Sequence, residues 1–262
     1  APMRTKLKHG WAGAALVVGA ATVMWVQAAY QPNAAPPDVK AQLQAVIGDV
    51  PHPVSSPANH AVADRLVQKL ESLGLHARSQ RTFQCGGTSC APVRNIYACV
   101  AATGQQAADG AGACPGAVVF SAHYDSAPAA TGAGDDGLGV SAVLSAAAHR
   151  AQWEGTFATP LLFLFTDGEE AGLLGARAFV REGLADGLAG VVNWDARGNA
   201  GTPLLAEWSG GSRWWLDHAL AEATEVRRSS VFDFVTDRLP NDTDFSVFRS
   251  AGIGGINVAV VE

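Results

Sequence analysis

The stretch Ala122-His123-Tyr124-Asp125-Ser126, followed closely by Gly134-Asp135-Asp136-Gly137, decides how the chain is organised. It comes directly after a short apolar run, Ala117-Val118-Val119-Phe120, which is typical of a buried strand. An imidazole suits zinc, one carboxylate can bridge two cations, and another can hold the imidazole in one tautomer. Taken alone, this pattern does not separate a metal site from a polar loop after a strand.

Two more apolar runs end in the same way. Leu161-Leu162-Phe163-Leu164-Phe165 is followed at once by Thr166-Asp167-Gly168-Glu169-Glu170, and Gly190-Val191-Val192-Asn193-Trp194 is followed at once by Asp195. In open α/β sheets, binding sites form beyond the carboxyl ends of the strands. Three strands that deliver acids or a histidine to one sheet edge therefore predict a metal site there, because independent polar loops would explain the set poorly.

Helical and strand patterns alternate along the rest of the chain, which predicts an α/β fold. Ser56 is a natural N-cap, Pro57 suits the first helical position and Gly74 suits the C-terminal end of the same helix. His52, His60 and His76 have no acids around them in the sequence, so we expect them at the surface. The remaining predicted helices span 38–47, 138–150, 172–181, 212–225 and 241–248, and the remaining predicted strands span 94–100, 204–206 and 253–260.

Composition excludes two classes of protein. Hydrophobic residues make up 48% of the 262 residues and charged residues 16%, which excludes a disordered polymer. The net charge is −6, and lysine and arginine form no cluster beyond the N-terminus, so we expect no nucleic-acid partner. The length supports one domain of ordinary size plus an appendage.

The four cysteines, Cys85, Cys90, Cys99 and Cys114, lie within a short part of the chain and away from the acidic clusters. An even number in one region favours two disulfides and an oxidising compartment. We expect Cys85–Cys90 and Cys99–Cys114, because both pairings close short loops. The other two pairings, and four reduced buried thiols, remain open from the sequence.

The N-terminal segment, residues 1–30, has the features of a signal peptide or a signal anchor. Arg4, Lys6 and Lys8 precede an uncharged stretch from Trp11 to Val26, which approaches the ~20 residues that span a bilayer. Basic residues on the N-terminal side place the rest of the chain outside the cytoplasm, in a periplasm or a lumen. Residues 31–37 form a linker, and the folded domain then covers 38–262.

From about Ser56 onward the chain resembles the co-catalytic dizinc exopeptidases of the bacterial leucyl-aminopeptidase type, and within them the membrane-anchored, endoplasmic-reticulum aminopeptidase-like branch. The resemblance implies a mixed, mostly parallel central sheet with helices on both faces. The matching stretches are His123-Tyr124-Asp125-Ser126, Gly132-Ala133-Gly134-Asp135-Asp136-Gly137, Asp167-Gly168-Glu169-Glu170-Ala171-Gly172-Leu173-Leu174-Gly175, Asn193-Trp194-Asp195 and Asn241-Asp242-Thr243-Asp244-Phe245.

The resemblance also implies the role of each site residue. His123 and Asp195 would hold one zinc ion, Glu170 would hold a second, and Asp135 would bridge the two. Asp125 would orient His123. Glu169 would be the general base that moves a proton from the attacking water to the leaving amine. Two zinc ions per chain, a peptide substrate and membrane association through the N-terminal segment follow as expectations.

One feature departs from the resemblance. The family's second zinc takes its last ligand from a histidine after the final strand, and no histidine follows His218 in this sequence. We therefore expect the domain to be cut short at its C-terminal end. Two other functions remain open: a single-zinc enzyme similar to glutaminyl cyclases, and a non-catalytic receptor or scaffold on the same fold.

Overall fold

The computed structural model describes residues 38–105, 114–196, 198, 201–209 and 242–260. The predicted N-terminal segment 1–30, the linker 31–37 and the predicted helix 212–225 lie outside these residues. Among the described residues, no helix combines the length and the hydropathy that a membrane span requires.

A seven-stranded sheet forms the centre of the fold, with strand order β1-β2-β4-β3-β5-β7-β6. The neighbouring strands β4, β3, β5 and β7 run parallel, while β1 and β2 at one edge and β6 at the other are antiparallel to their neighbours. This confirms the predicted mixed sheet with a parallel centre. The strands are β1 Arg78–Gly86, β2 Ser89–Val100, β3 Val118–His123, β4 Leu161–Thr166, β5 Gly190–Trp194, β6 Leu204–Ser209 and β7 Gly255–Ala259.

Helices cover both faces of the sheet, as predicted. Along β4, Leu162 and Leu164 belong to one hydrophobic cluster and Phe163 and Phe165 to the other, because successive side chains of a strand point to opposite faces. The Phe163 side packs on α1, α2 and α3, and the Leu162 side packs on α4 and α5. The helices are α1 Val39–Val46, α2 Pro57–Ser72, α3 Gly137–Gln152, α4 Leu174–Arg181 and α5 Asp244–Ser250.

The predicted start of α2 is confirmed by its hydrogen bonds. The Ser56 hydroxyl oxygen accepts from the backbone N–H of Asn59 at 3.0 Å, and Pro57 occupies the first turn, where no backbone N–H is needed. After the helix, Gly74 has φ +74°, a conformation that glycine adopts without steric cost. Local chemistry therefore determines both ends of this helix.

Both expected disulfides are present, Cys85–Cys90 and Cys99–Cys114. The first one closes a hairpin of β1 and β2, in which Gly86 pairs with Ser89 across a two-residue turn. The sequence analysis missed β1 and started β2 too late. The residues of β1 are mostly polar or half-exposed, since β1 is an edge strand with one open side, so they carry no continuous apolar run.

The prediction that His52 lies at the surface is wrong, whereas His60 and His76 are exposed as expected. His52 is 1% exposed. Its backbone N–H donates to the Ser126 hydroxyl oxygen at 2.9 Å, and its carbonyl accepts from the Ser126 N–H at 3.3 Å. These long-range contacts bury the segment before α2 against the loop after β3, and no local sequence pattern encodes them.

Replacing Phe163 by alanine should lower the free energy of unfolding by about 3–5 kcal/mol, because the ring is 0% exposed and its loss leaves a cavity. Phe83→Ala is the matched control. Phe83 is 60% exposed on β1, so its loss should change stability by no more than about 0.5 kcal/mol. Denaturant unfolding of both variants measures the difference, and equal losses would contradict the assigned core.

Candidate metal centre

The parallel register brings the carboxyl ends of three central strands to the same end of the sheet. His123 at the end of β3 pairs with Thr166 at the end of β4, and Ser121 of β3 pairs with Asn193 of β5. The residues that follow each strand therefore emerge beside one another, as expected for a site beyond the carboxyl ends of parallel strands. Backbone pairing alone accounts for this placement.

Three of the four predicted metal ligands come together in the described part of the chain. His123, Asp135 and Asp195 each offer a ligand atom within 4.8 Å of the others. Nε2 of His123 lies 3.1 Å from Oδ1 of Asp135. His123 and Asp195 are buried, whereas 42% of the Asp135 side chain is exposed. Asp135 is therefore the member of the group that solvent can reach. Glu170 is not part of this group.

Asp125 lies between His123 and the loop that follows β4. Nδ1 of His123 is 3.1 Å from the Asp125 backbone carbonyl and 3.4 Å from its Oδ1, so either oxygen can accept the Nδ1 proton. Oδ1 also accepts from the backbone N–H of Glu169 at 3.0 Å, and Oδ2 accepts from that of Glu170 at 3.3 Å. The geometry fits the predicted orientation of His123. It also gives Asp125 a second task that the sequence did not suggest, which is to hold the backbone of both glutamates.

The two glutamates face this group differently. Oε2 of Glu169 lies 3.9 Å from Nε2 of His123, and 12% of its side chain is exposed. Burial raises the pKa of Glu169 well above its usual value, with nearby Asp195 adding to the effect against the influence of His123. Glu170 is exposed at the surface of the loop, and partial desolvation together with nearby Asp135 raises its pKa. Glu169 is thus the glutamate with a close contact to His123, and the charge of Asp135 acts on Glu170.

The charges of the site favour a bound cation. Burial opposes a charge on His123, but Glu169, Asp125 and Asp135 outweigh it and raise the pKa of the imidazole well above its usual value. Several acids therefore crowd one imidazole in a poorly hydrated place, where unpaired charge is costly. A divalent cation would offset this charge. One imidazole nitrogen and several carboxylate oxygens are donors that zinc accepts, so the residues fit zinc.

Two further acids, Asp136 and Asp244, are buried beside the site, and the sequence analysis gave neither a role. Asp136 caps α3 by accepting from the Gly139 N–H at 3.1 Å, and the same oxygen accepts from the Ala196 N–H at 3.1 Å. It thereby ties the loop of Asp135 to the loop of Asp195. Its position directly before a helix was a signal for the cap, but not for the contact with Ala196.

Asp244 begins α5, and burial raises its pKa to about 6. The Thr166 hydroxyl donates to one of its oxygens, and the other oxygen, Oδ1, has no hydrogen-bond partner among the described residues. The pKa of Asp244 also responds to His123 and Asp125, so this carboxyl belongs electrostatically to the site. The motif that contains Asp244 was recognised in the sequence, but the contact with Thr166 joins residues far apart in the chain.

Asp167 anchors the start of the loop after β4 in a buried polar network. Its Oδ1 accepts from the Asn59 side-chain amide at 2.9 Å, and its Oδ2 accepts from the Arg94 backbone N–H at 2.9 Å. Its own N–H donates to the Asn95 side chain at 3.0 Å. Burial and the nearby Asp125 raise the pKa of Asp167 to about 7. The network joins α2 and β2 to the start of the loop that carries the two glutamates.

Comparisons with known proteins find a family model and curated relatives that match this chain. The family model described as Peptidase family M28 matches residues 100–261. A vacuolar membrane protease of Eremothecium gossypii is 29% identical over 242 residues, which cover 82% of this chain and 22% of that protein. The matched part is thus less than a quarter of the length of the curated relatives.

Two solved structures share the fold. A glutaminyl cyclase of Porphyromonas gingivalis has a TM-score of 0.62 and 18% identity, covering 86% of this chain and 82% of that one. A leucine aminopeptidase precursor of Bacteroides thetaiotaomicron has a TM-score of 0.60 and 19% identity, covering 87% and 84%. At these identities the likeness concerns the fold, and one fold carries both named activities.

Asp167→Asn should flatten the pH dependence of stability. The pKa of Asp167 is about 7 in the folded chain, against an ordinary value of 3.8. The folded state therefore binds the proton of Asp167 more tightly than the unfolded state does. The stability that this gives is fully present below the pKa of the unfolded state, and it is lost as pH rises through the pKa of the folded state. We expect this group to account for a loss of roughly 1–4 kcal/mol between about pH 4 and pH 7.

Denaturant unfolding between these pH values measures the effect. The asparagine variant cannot titrate at this position, so its stability should fall less over the window. Asp49→Asn changes an exposed acid and is the control. If Asp167→Asn kept the wild-type slope, Asp167 would not be the titrating group.

Proposed function

Since the chain belongs to peptidase family M28, we propose that it is a zinc-dependent aminopeptidase that removes N-terminal residues from peptides. The observation that carries the proposal is the grouping of His123, Asp135 and Asp195 at the sheet edge, with Glu169 at 3.9 Å from the His123 imidazole. Exposure of the Asp135 side chain gives a substrate access to the group.

In this proposal His123 and Asp195 hold one zinc ion, and Asp135 bridges it to a second ion held by Glu170. Support for the second position is the effect of Asp135 on the pKa of Glu170, which reflects their proximity. Glu170 lies outside the three-residue group, so it would have to turn toward Asp135 when both ions are present. The sequence has no histidine after His218 to complete this second position.

Zinc, when bound, supplies Lewis acidity that acidifies a water molecule and polarises the peptide carbonyl. The chain supplies the proton transfer. The Glu169 carboxylate is buried and near the metal ligands, so it can accept a proton from the attacking water and return it to the leaving amine. Asp125 fixes the base by holding the Glu169 backbone N–H, and it also contacts His123. One carboxylate thus aligns the base with a ligand.

We propose that the catalytic domain works outside the cytoplasm and is associated with a membrane. The two disulfides support an oxidising compartment. The curated relatives are named vacuolar membrane proteases, and the basic and apolar residues before position 27 suit a signal or an anchor.

A glutaminyl-cyclase-like enzyme with one zinc ion is the second candidate. Its specific support is that the structure groups ligands for one metal position, and that a glutaminyl cyclase shares the fold. Zinc content separates the candidates: two ions per chain favour the peptidase and one favours the cyclase. No zinc after purification in excess zinc would leave a non-catalytic scaffold.

Glu169→Gln should lower kcat on amino-acid anilides by about 100-fold or more, because the amide cannot accept the proton. Zinc content should stay at the wild-type level, since Glu169 is not a proposed ligand. Glu154→Gln, which alters an exposed glutamate, is the matched control and should keep full activity. Turnover near the wild-type level in the Glu169 variant would rule out its role as the base.

Asp135→Ala should lose both zinc ions together, because the bridging carboxylate contributes to both positions. Elemental analysis after dialysis measures zinc per chain, with Asp49→Ala as a control for an exposed acid. Circular dichroism shows whether the variant is folded. Loss of only one ion would contradict a bridging role for Asp135.

A further inference from the structure

The hairpin formed by the end of β1 and the start of β2, residues 84–91, extends beyond the carboxyl end of β4, where the site lies. β2 pairs with β4 only from Ile96 onward, where Ile96 lies opposite Phe165. The part of β2 before this point therefore extends beyond the end of β4. We call residues 84–91, closed by the Cys85–Cys90 bond, the disulfide hairpin.

The loop that follows β4, residues 167–173, carries both glutamates, and we call it the glutamate loop. On its inner side the Asp125 carboxylate holds the backbone N–H groups of Glu169 and Glu170. Within the loop, the Glu169 carbonyl accepts from the N–H groups of Gly172 and Leu173 at 2.9 and 2.8 Å. The loop is thus one tight turn that is closed by its own backbone hydrogen bonds.

The disulfide hairpin lies against the outer side of this turn, backbone to backbone. A Cβ atom placed on Gly86 would lie 2.3 Å from the Gly172 carbonyl oxygen, and one placed on Gly172 would lie 2.8 Å from the Gly86 carbonyl oxygen. Both distances are shorter than real side chains allow. Only two glycines permit this approach, and Gly172 also has φ +113°, which other residues rarely adopt.

Two arginines of α4 complete the contact. Nε of Arg177 donates to the same Gly172 carbonyl oxygen at 3.1 Å. Arg181, one turn later, donates to the Phe83 carbonyl at 3.2 Å and to the Thr82 hydroxyl at 3.0 Å, so it ties β1 next to the hairpin. Helix α4 therefore holds both the hairpin strand and the turn that the hairpin touches.

We propose that the disulfide hairpin is a positioning element of the active site. Through the Gly86–Gly172 contact it fixes the glutamate loop on its outer side, as Asp125 does on its inner side. This proposal rests on the proposed function, because it assigns the hairpin the task of placing Glu169 for proton transfer and Glu170 for zinc. Gly86 and Gly172 touch neither substrate nor metal, and they act through the glutamates.

The test is Gly86→Ala in the full chain, with Gly87→Ala as the matched control. A methyl group added at position 86 collides with Gly172, so the turn must shift by about 1 Å, a displacement that can lower catalysis by about 100-fold. A methyl group at position 87 meets nothing within 4 Å, although its φ of +55° strains the hairpin turn itself. The control thus perturbs the hairpin without touching the glutamate loop.

We expect kcat of Gly86→Ala on an amino-acid anilide to fall by about 10- to 100-fold while KM changes little. Zinc affinity, measured by competition with a chelator, should weaken by about tenfold, since supports of metal ligands have effects of that size. Amide hydrogen exchange in a peptide that covers residues 167–173 should become faster. Gly87→Ala should stay near the wild type in all three measurements.

Several outcomes would overturn the proposal. Wild-type kcat and zinc affinity in Gly86→Ala, with Glu169→Gln inactive, would remove the positioning role and leave the peptidase function intact. Equal losses in the alanine variants at positions 86 and 87 would show general destabilisation instead. If Gly86→Ala changed hydrogen exchange and zinc affinity but the wild-type protein had no peptidase activity, the positioning contact would stand and the proposed function would be rejected.

A second variant keeps the test decisive if Gly86→Ala does not fold. Cys85→Ser with Cys90→Ser removes the covalent closure of the hairpin at two exposed residues and leaves both glycines in place. We expect the same changes in kcat and exchange, but smaller. Unchanged kcat, zinc affinity and loop exchange in this variant would reject the hairpin as a positioning element.

Discussion

Mutual repulsion among the acids that surround the buried His123 is the constraint on which the site depends. His123 interacts with a whole set of carboxyl groups, and burial raises the pKa of several of them, because no bulk water stabilises their charge. Such a cluster is stable only when other groups compensate for its negative charge. Backbone N–H donors of the chain are one kind of compensating group, and a bound divalent cation would be another. The set of acids is Asp125, Asp135, Asp136, Glu169, Glu170 and Asp244.

Backbone N–H groups offset part of the free-energy cost of placing these acids together, and the same hydrogen bonds connect separate loops. Asp125 accepts from the N–H groups of the glutamate loop, and Asp136 accepts from the N–H of Ala196 after β5 as well as from the start of α3. Each carboxylate thereby fixes a loop other than its own. Because these hydrogen bonds run between separate loops, the two acids both position the residues of the site and hold the loops together.

Sequence reasoning located the site because its signals are local. Acids and a histidine after apolar runs, together with the rule for parallel sheets, predicted a metal site at one end of the strands, and the family resemblance implied His123, Asp135 and Asp195 among its ligands. It failed where contacts join distant segments: the burial of His52 against Ser126, the hydrogen bond between Thr166 and Asp244, and the edge strand β1, which lacks an apolar run. The sequence favoured both observed disulfides because each closes a short loop, but it left the other pairings open, and it did not predict that the Cys85–Cys90 hairpin lies beside the glutamate loop.

The two supports of the glutamate loop act on its backbone and leave the side chain of Glu169 unconstrained by them. Asp125 holds N–H groups from inside, and the Gly86–Gly172 contact restrains a carbonyl from outside. A general base must keep its carboxylate within reach of one water while it accepts and releases a proton. Under the proposed function, a fixed backbone would meet both needs, because the shift from water to leaving group would then involve only the side-chain torsions of Glu169. Both supports act on the backbone of the turn, one through the Asp125 carboxylate and the other through the close approach of two glycines, so neither needs to contact the carboxylate that the proposal makes the base.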